Sequence, residues 1–212
     1  MAEPIASVPT APTARPGLRR GRPGYDRDGL LRVAVEVFIE RGYDGTSMED
    51  LAARLGISKS SIYHHVSGKA ELLRLAVDRA LDALFAVTTE PEATTGRAID
   101  RLEHVVRRSV EVLVAELPYV TLLLRVRGNT PVEREALRRR RDFDRVVTDL
   151  VAEAEAAGDV RPDVDPALTS RLLFGLVNSL TEWYRRDGGL TGRDLADAVV
   201  TIAFDGLRRG PE

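Results

Sequence analysis

The apolar residues of this chain recur with a helical period from Asp26 almost to the C-terminus, and no stretch alternates like a β-strand for more than a few residues. Asp26 is placed to cap the first helical segment, and Gly42 is placed to end it. Comparable segments follow along the chain, so the sequence predicts an all-α fold of about nine helices. The apolar residues of the first segment are Leu30, Val33, Ala34, Val37 and Phe38.

Composition excludes several classes of protein. The chain has no cysteine, which excludes disulfide scaffolds, thiolate metal sites and cysteine nucleophiles. No apolar run approaches the ~18 residues that a membrane-spanning helix needs, and the N-terminal segment lacks the apolar centre of a signal peptide. We therefore expect a cytoplasmic protein that does not enter a membrane.

Residues 1–24 differ from the rest of the chain because five prolines are spread among alanine, threonine and glycine. Such a segment buries too little surface to offset the entropy of ordering, so it is predicted to be a disordered arm. The arm carries four arginines against a single acidic residue, whereas the formal net charge of the whole chain is −2. Two interpretations stay open: a solvated tail, or an arm that inserts Arg19, Arg20 and Arg22 into a DNA minor groove.

The second helix begins at a reciprocal N-terminal cap, in which two side chains each bond the other's backbone N–H. Thr46 and Glu49 have the spacing of such a cap. Ser47 and Asp50, one residue further on, have the same spacing, so both pairings stay open at this point.

A tight turn separates the second helix from the third. Gly56 can adopt the left-handed conformation that this turn requires, and Ser58 is placed to cap the helix that follows. Three short helices joined in this way form a helix-turn-helix unit, which we predict to be a DNA-binding domain over residues 25–70. Residues 71–212 are predicted to form a second helical domain.

The last helix of a helix-turn-helix unit lies in the DNA major groove, where base edges are displayed. It needs an apolar inner face and a polar outer face, and the run from Ser58 to His65 meets this requirement with Ile62 as its inner anchor. Lys59 and Lys69, the only lysines of the chain, both lie in this region. The residues predicted to contact DNA are Thr46, Ser47, Ser58, Lys59, Ser60, Ser61, Tyr63, His64, His65 and Lys69.

The run from Leu30 to Leu73 resembles the TetR family of bacterial transcriptional repressors. Its central part reads FIERGYDGTSMEDLAARLGISKSSIYHH, and one departure follows it at Val66, where the family usually carries Phe. The resemblance implies an N-terminal DNA-binding domain whose recognition helix is the run from Ser58 to His65. It also implies that Lys69 opens a fourth helix near the phosphate backbone, and that a helical C-terminal domain dimerises and senses a ligand.

A second stretch, from Trp183 to Leu190 and on to Asp194-Leu-Ala-Asp, is similar to the final-helix junction of TetR regulators that respond to acyl-coenzyme A thioesters. Those regulators usually carry Pro where Arg186 or Asp187 stands here. The resemblance implies an acyl-CoA thioester as one candidate effector, beside other small apolar molecules.

A cavity between the C-terminal helices is expected to hold the effector. Asn178 stands in an otherwise apolar run, and burying an amide without a partner costs ~1–3 kcal/mol, so it either bonds a neighbour or awaits a ligand. The run from Arg138 to Arg141 is open to three interpretations: it holds a coenzyme A phosphate, it pairs across the dimer, or it is a solvated helix face bonded to Glu133 and Glu135. The residues predicted to line the cavity are Leu122, Leu123, Val126, Phe143, Val147, Phe174 and Asn178.

The last two helices are expected, from the resemblance, to supply the dimer interface, with Gly175 permitting close approach. The apolar residues available for contact are Leu172, Leu176, Leu180, Val199, Ile202 and Phe204.

The sequence predicts a homodimeric transcriptional regulator that responds to a ligand. Of the two modes of regulation, repression is favoured, so the protein is expected to leave a palindromic operator when an effector binds. The fourth helix is the expected lever because it joins the two domains. An enzyme is disfavoured because the sequence has no phosphate-binding loop, nucleophile elbow or credible Ser-His-Asp set, and no cofactor or metal is expected. The alternative is a dimeric helical ligand-binding or adaptor protein that does not recognise specific DNA sequences.

Overall fold

The structure, a computed structural model, describes residues 26–207, so the predicted arm with Arg19, Arg20 and Arg22 lies outside the described residues. Within this range the chain forms ten helices and no β-strand, which confirms the all-α prediction. The helices are α1 (Arg27–Arg41), α2 (Met48–Leu55), α3 (Lys59–Tyr63), α4 (Lys69–Val87), α5 (Pro91–Thr94), α6 (Ala98–Ala115), α7 (Leu117–Arg125), α8 (Pro131–Ala156), α9 (Pro166–Trp183) and α10 (Gly192–Leu207).

The helix that sequence reasoning missed is α5, a single turn whose only buried side chain is Ala93. One turn is too short to show a helical period. Gly96 follows it with a φ of 95°, which the right-handed helix does not use, so α6 begins after this glycine. Pro118 lies in the first turn of α7, where the absence of its N–H removes no intrahelical bond.

The buried apolar residues form two core clusters. The first lies among α1, α2, α3, the first part of α4 and one face of α7, with Phe38, Leu51, Ile62 and Leu73 among its members. The second lies among α6, α8, α9 and α10. Because α4 and α7 contact both the helix-turn-helix unit and the C-terminal helices, these two helices join the halves of the molecule.

None of the helices in the described part of the chain combines the length and the apolar character that a membrane span requires.

Candidate DNA interface and effector cavity

Local hydrogen bonds fix the start of α2 and the turn after it. The cap of α2 is the Ser47–Asp50 pair, since Ser47 Oγ accepts from the Asp50 N–H at 3.1 Å and the Asp50 carboxylate accepts from the Ser47 N–H at 2.8 Å. Gly56 ends α2 in the left-handed conformation, with φ 66° and ψ 32°, as the sequence predicts. These contacts set the direction in which the chain enters α3.

The third helix presents polar side chains to solvent over a buried anchor. Ile62 is fully buried, whereas Tyr63 is 47% exposed. Ser58 caps the helix, because its Oγ accepts a hydrogen bond from the Ser61 N–H at 3.2 Å. The Ser61 side chain, which is also predicted to contact DNA, is half-buried. Helix α3 ends earlier than expected, so two histidines of the predicted recognition helix lie in the turn that follows it. The exposed residues among those predicted to contact DNA are Ser47, Ser58, Lys59, Ser60, Tyr63, His64 and His65.

Thr46 does not belong to this exposed surface, which corrects the prediction that it contacts DNA. Its side chain is 2% exposed, and its Oγ1 donates a hydrogen bond to the Gly42 carbonyl at 2.7 Å. The threonine therefore holds the turn between α1 and α2 from the inside.

Lys69 also supports this turn. Its Nζ donates to the backbone carbonyls of Tyr43 and Thr46, both at 2.8 Å, and lies 4.3 Å from the centre of the Tyr43 ring. Two of the three ammonium protons of Lys69 are therefore used within the domain, and one is left for a phosphate. Contact of Lys69 with a phosphate stays a prediction.

Lys59, the first residue of α3, pairs with Glu49 of α2 on the exposed side of the unit. The hydrogen bond between them is the main reason that the pKa of Lys59 is raised and the pKa of Glu49 is lowered. Ion pairs exposed to water contribute little to stability, so a DNA phosphate or base can displace the carboxylate at small cost.

A cavity of about 50 Å³ lies among α4, α6, α7, α8 and α9. Two of its aromatic walls, Phe143 and Phe174, meet edge to face at a ring distance of 5.2 Å. Ligand pockets for molecules of drug size usually measure about 300–1,000 Å³, so an effector must widen this cavity to enter. The lining residues are Ala80, Leu84, Ser109, Val112, Leu113, Val120, Leu123, Leu124, Arg140, Phe143, Asp144, Phe174, Val177 and Asn178.

Four of the seven predicted lining residues are in this set, namely Leu123, Phe143, Phe174 and Asn178. The other three do not line the cavity, which corrects the prediction for them. Leu122 and Val126 are buried in the core of the helix-turn-helix unit, because that face of α7 packs against it. Val147 is fully buried in the C-terminal core.

Four polar or charged side chains interrupt the apolar lining: Ser109, Asn178, Arg140 and Asp144. Arg140 makes neither a hydrogen bond nor a salt bridge to another described residue. Partial burial raises the pKa of the Asp144 carboxyl, and the nearby guanidinium groups of Arg140 and Arg171 act in the opposite direction. The cavity therefore has a charged edge at α8.

Sequence reasoning missed Ser109, although the pattern contained a signal for it. Its neighbours on the buried face of α6 are Val105, Val106, Val110 and Leu113, so a serine stands alone in an apolar stripe. The hydroxyl is buried, with the residue 2% exposed, and its Oγ has no hydrogen-bond partner in the described part of the chain.

The outer faces of the last two helices leave large apolar side chains in water. Leu172 of α9 is 63% exposed and Ile202 of α10 is 68% exposed. Gly175 is also exposed, and no atom lies within 4 Å of the position that a Cβ would occupy there. Leu176 is half-buried. The remaining predicted interface residues lie within the protomer's own core, since they point inward from the same helices: Leu180, Val199 and Phe204.

An ion-pair network connects α5 to α6. The Glu90 carboxylate accepts from Arg108 at 3.0 Å and lies 2.6 Å from His104 Nε2. The hydrogen bond from Arg108 is the main reason that the pKa of Glu90 lies below its ordinary value. Residues 26–207 contain no group of three or more His, Asp or Glu side chains that could hold a metal ion.

Two family models match the chain. The model for bacterial regulatory proteins of the tetR family matches residues 30–76. The model for the tetracyclin repressor-like C-terminal domain matches residues 95–207, which is more than half of the chain.

Three solved structures show the same fold. SCO3833 from Streptomyces coelicolor A3, a TetR-family regulator, is 62% identical, with a TM-score of 0.80 over 85% of this chain and 91% of that one. The ketosteroid transcriptional regulator KstR2 of Mycobacterium tuberculosis is 26% identical, with a TM-score of 0.79 over 90% of this chain and 98% of that one. AibR, in complex with isovaleryl coenzyme A and operator DNA, is 24% identical, with a TM-score of 0.71 over 84% and 97% of the two chains. KstR2 is described as an HTH-type transcriptional repressor.

Proposed function

Because the chain belongs to the TetR family of bacterial regulatory proteins, we propose that it is a homodimeric transcriptional repressor, released from a palindromic operator by a small-molecule effector. The observation that carries the proposal is the exposed polar surface of α3, set over the buried Ile62. A regulator of bacterial transcription acts where the chromosome is, so we place it in the cytoplasm.

Helix α3 suits a major groove in size and chemistry. It is short and its inner side is anchored. Its exposed side chains include hydroxyl and ammonium groups, and the turn after it adds two imidazoles; all of these can form hydrogen bonds with base edges and phosphates. Lys59 is free to exchange its partner Glu49 for DNA, since that ion pair is exposed to water.

A dimer supplies the second recognition helix. Leu168 and Leu172 lie one turn apart on the exposed face of α9, and Gly175 continues the same face. Ile202 of α10 is exposed as well, and large apolar side chains in water are typical of an interface between subunits. Two-fold symmetry then predicts two half-sites about 34–36 Å apart, or a multiple of that distance.

Helix α7 can transmit a conformational change from the effector cavity to the DNA-binding unit, in addition to α4, which is expected to do so. Its Val120 and Leu124 line the cavity, while Tyr119 and Leu122 are buried in the helix-turn-helix core. At its C-terminal end the Arg125 guanidinium donates to the Ile39 carbonyl of α1 at 2.6 Å. Widening the cavity therefore displaces a helix that forms part of the DNA-binding core, and by linkage DNA opposes effector binding equally.

We propose an acyl-CoA thioester as the effector. The cavity has apolar walls for an acyl chain, and its edge carries Arg140, a guanidinium without an ion pair in the described part of the chain, which is suited to an anionic head group. AibR, which has the same fold, has been solved in complex with isovaleryl coenzyme A and operator DNA, and this supports a thioester as the effector class.

The recognition helix is tested by selecting duplexes from a random pool with the wild-type protein and measuring variant binding to the selected sequence. We expect a near-palindrome, and loss of its binding when Lys59 and Tyr63 are both replaced by Ala. Arg145→Ala on α8, also an exposed basic side chain, is the control and keeps wild-type affinity. Recovery of no preferred sequence would support the alternative, a ligand-binding or adaptor protein without sequence-specific DNA binding.

A further inference from the structure

Ser109 presents a buried hydroxyl that the fold leaves without a partner. The residue is 2% exposed, and its Oγ makes no hydrogen bond to the residues that the structure describes. A buried hydroxyl of this kind lowers stability unless a ligand or an ordered water completes its hydrogen bond. Ser109 also lines the cavity at the centre of the C-terminal domain.

Asn178, on the opposite helix α9, is the second uncharged polar residue of the lining. Its backbone carbonyl accepts from Thr181 Oγ1 at 2.8 Å, but its side-chain amide has no partner in the described part of the chain. The amide and the Ser109 hydroxyl thus bring two free hydrogen-bond donors to a space that is otherwise walled mainly by Leu, Val and Phe.

We propose that Ser109 and Asn178 recognise a hydrogen-bond acceptor, of the carbonyl type, on the part of the effector that enters the cavity. The inference rests on the proposed effector function and adds a chemical requirement to it: the buried part carries an oxygen and is not a plain hydrocarbon. A carbonyl oxygen has two lone pairs and accepts from both donors, and it brings no donor of its own to leave unpaired.

The chain offers a matched control for Ser109. Thr169 of α9 is also 2% exposed, and its Oγ1 is also buried without a partner, but it does not line the cavity. Removing either hydroxyl deletes an unsatisfied buried group, so Ser109→Ala and Thr169→Val both keep the fold.

The test measures the dissociation constants of two thioesters by calorimetry: decanoyl-CoA, and its analogue with a ketone at the penultimate carbon. Wild-type protein is expected to bind the ketone analogue about tenfold more tightly, the ratio that one satisfied hydrogen bond supplies. Ser109→Ala is expected to lower this ratio, because only the Asn178 amide then donates to the ketone. Thr169→Val is expected to keep the wild-type ratio.

Equal binding of the two thioesters by wild-type protein would overturn the inference while leaving the proposed effector class intact. A preference for the ketone that Ser109→Ala leaves undiminished would also overturn it. Failure of both thioesters to bind would refute the proposed effector class, and with it the inference that rests on that class.

Discussion

Replacing Lys69 by Met tests whether this lysine holds the DNA-binding unit together. The change keeps the length and apolar stem of the side chain but removes an ammonium group that donates to two backbone carbonyls at 2.8 Å. Hydrogen bonds to charged groups contribute about 1.5–3 kcal/mol each. Lys69 is only partly buried, so water replaces part of the loss and the lower end of that range applies to both bonds.

The expected cost is therefore about 3 kcal/mol of unfolding free energy. Loss of the cation over the Tyr43 ring adds to it, while the methionine stem keeps contact with the same ring. For a chain of this size each kcal/mol lowers the melting temperature by about 2–4 °C, so a fall of about 6–12 °C is expected.

Lys59→Met is the matched control, since this lysine is exposed and, among residues 26–207, forms its one ion pair with the exposed Glu49. Urea unfolding followed by circular dichroism measures both variants. Lys59→Met is expected to change stability by less than about 0.5 kcal/mol. Instead it should weaken operator binding and reduce the slope of log affinity against log salt by about one if Lys59 contacts a phosphate. If Lys69→Met unfolds at the same urea concentration as Lys59→Met, the role assigned to Lys69 is wrong.

Three further perturbations probe the rest of the molecule. The pKa of Glu90 is lowered from its ordinary 4.5, so its contribution to stability is present above that pH and is lost as the pH falls through the folded value. Glu90→Gln should be less stable than wild type to chemical unfolding at pH 7, and the difference should shrink as the pH falls below 4.5; a difference that does not change with pH would contradict the network. Leu172→Asp places a charge on the exposed face of α9 and should convert the dimer to a monomer in sedimentation velocity, whereas an unchanged dimer would place the interface elsewhere. Arg125→Ala removes the bond from α7 to the Ile39 carbonyl, so the effector should weaken operator binding less than in wild type; an unaltered response would exclude this route.

The parts of the fold that local chemistry decides were predictable. Gly42 ends α1, Gly56 takes the left-handed turn and Ser58 caps α3, as expected from residue type and spacing. Two adjacent residues of suitable type competed for the cap of α2, and only the structure shows that Ser47 forms it while Thr46 faces inward.

The wrong predictions share a physical cause. Periodicity shows that Leu122, Leu123 and Leu124 lie on a buried helix, but α7 is covered on two sides, and the sequence does not say which side faces the cavity. Leu180 and Leu172 likewise belong to one apolar helix, although the first fills the protomer's core and the second lies in water. Which neighbour each face of a helix packs against is decided by contacts between segments far apart in the chain. A single sequence does not show these contacts.

The pairing of Lys59 with Glu49 has a consequence for how the protein finds its target on a chromosome. A recognition surface whose ammonium group already has a counter-charge is attracted less strongly to arbitrary duplex, because sequence-independent affinity comes from phosphate neutralisation. Dwell times on wrong sites are then slightly shorter, and each dimer samples slightly more of the genome per unit time. If α3 contacts DNA as proposed, this counter-charge therefore lowers random binding only slightly, because an exposed ion pair is weak.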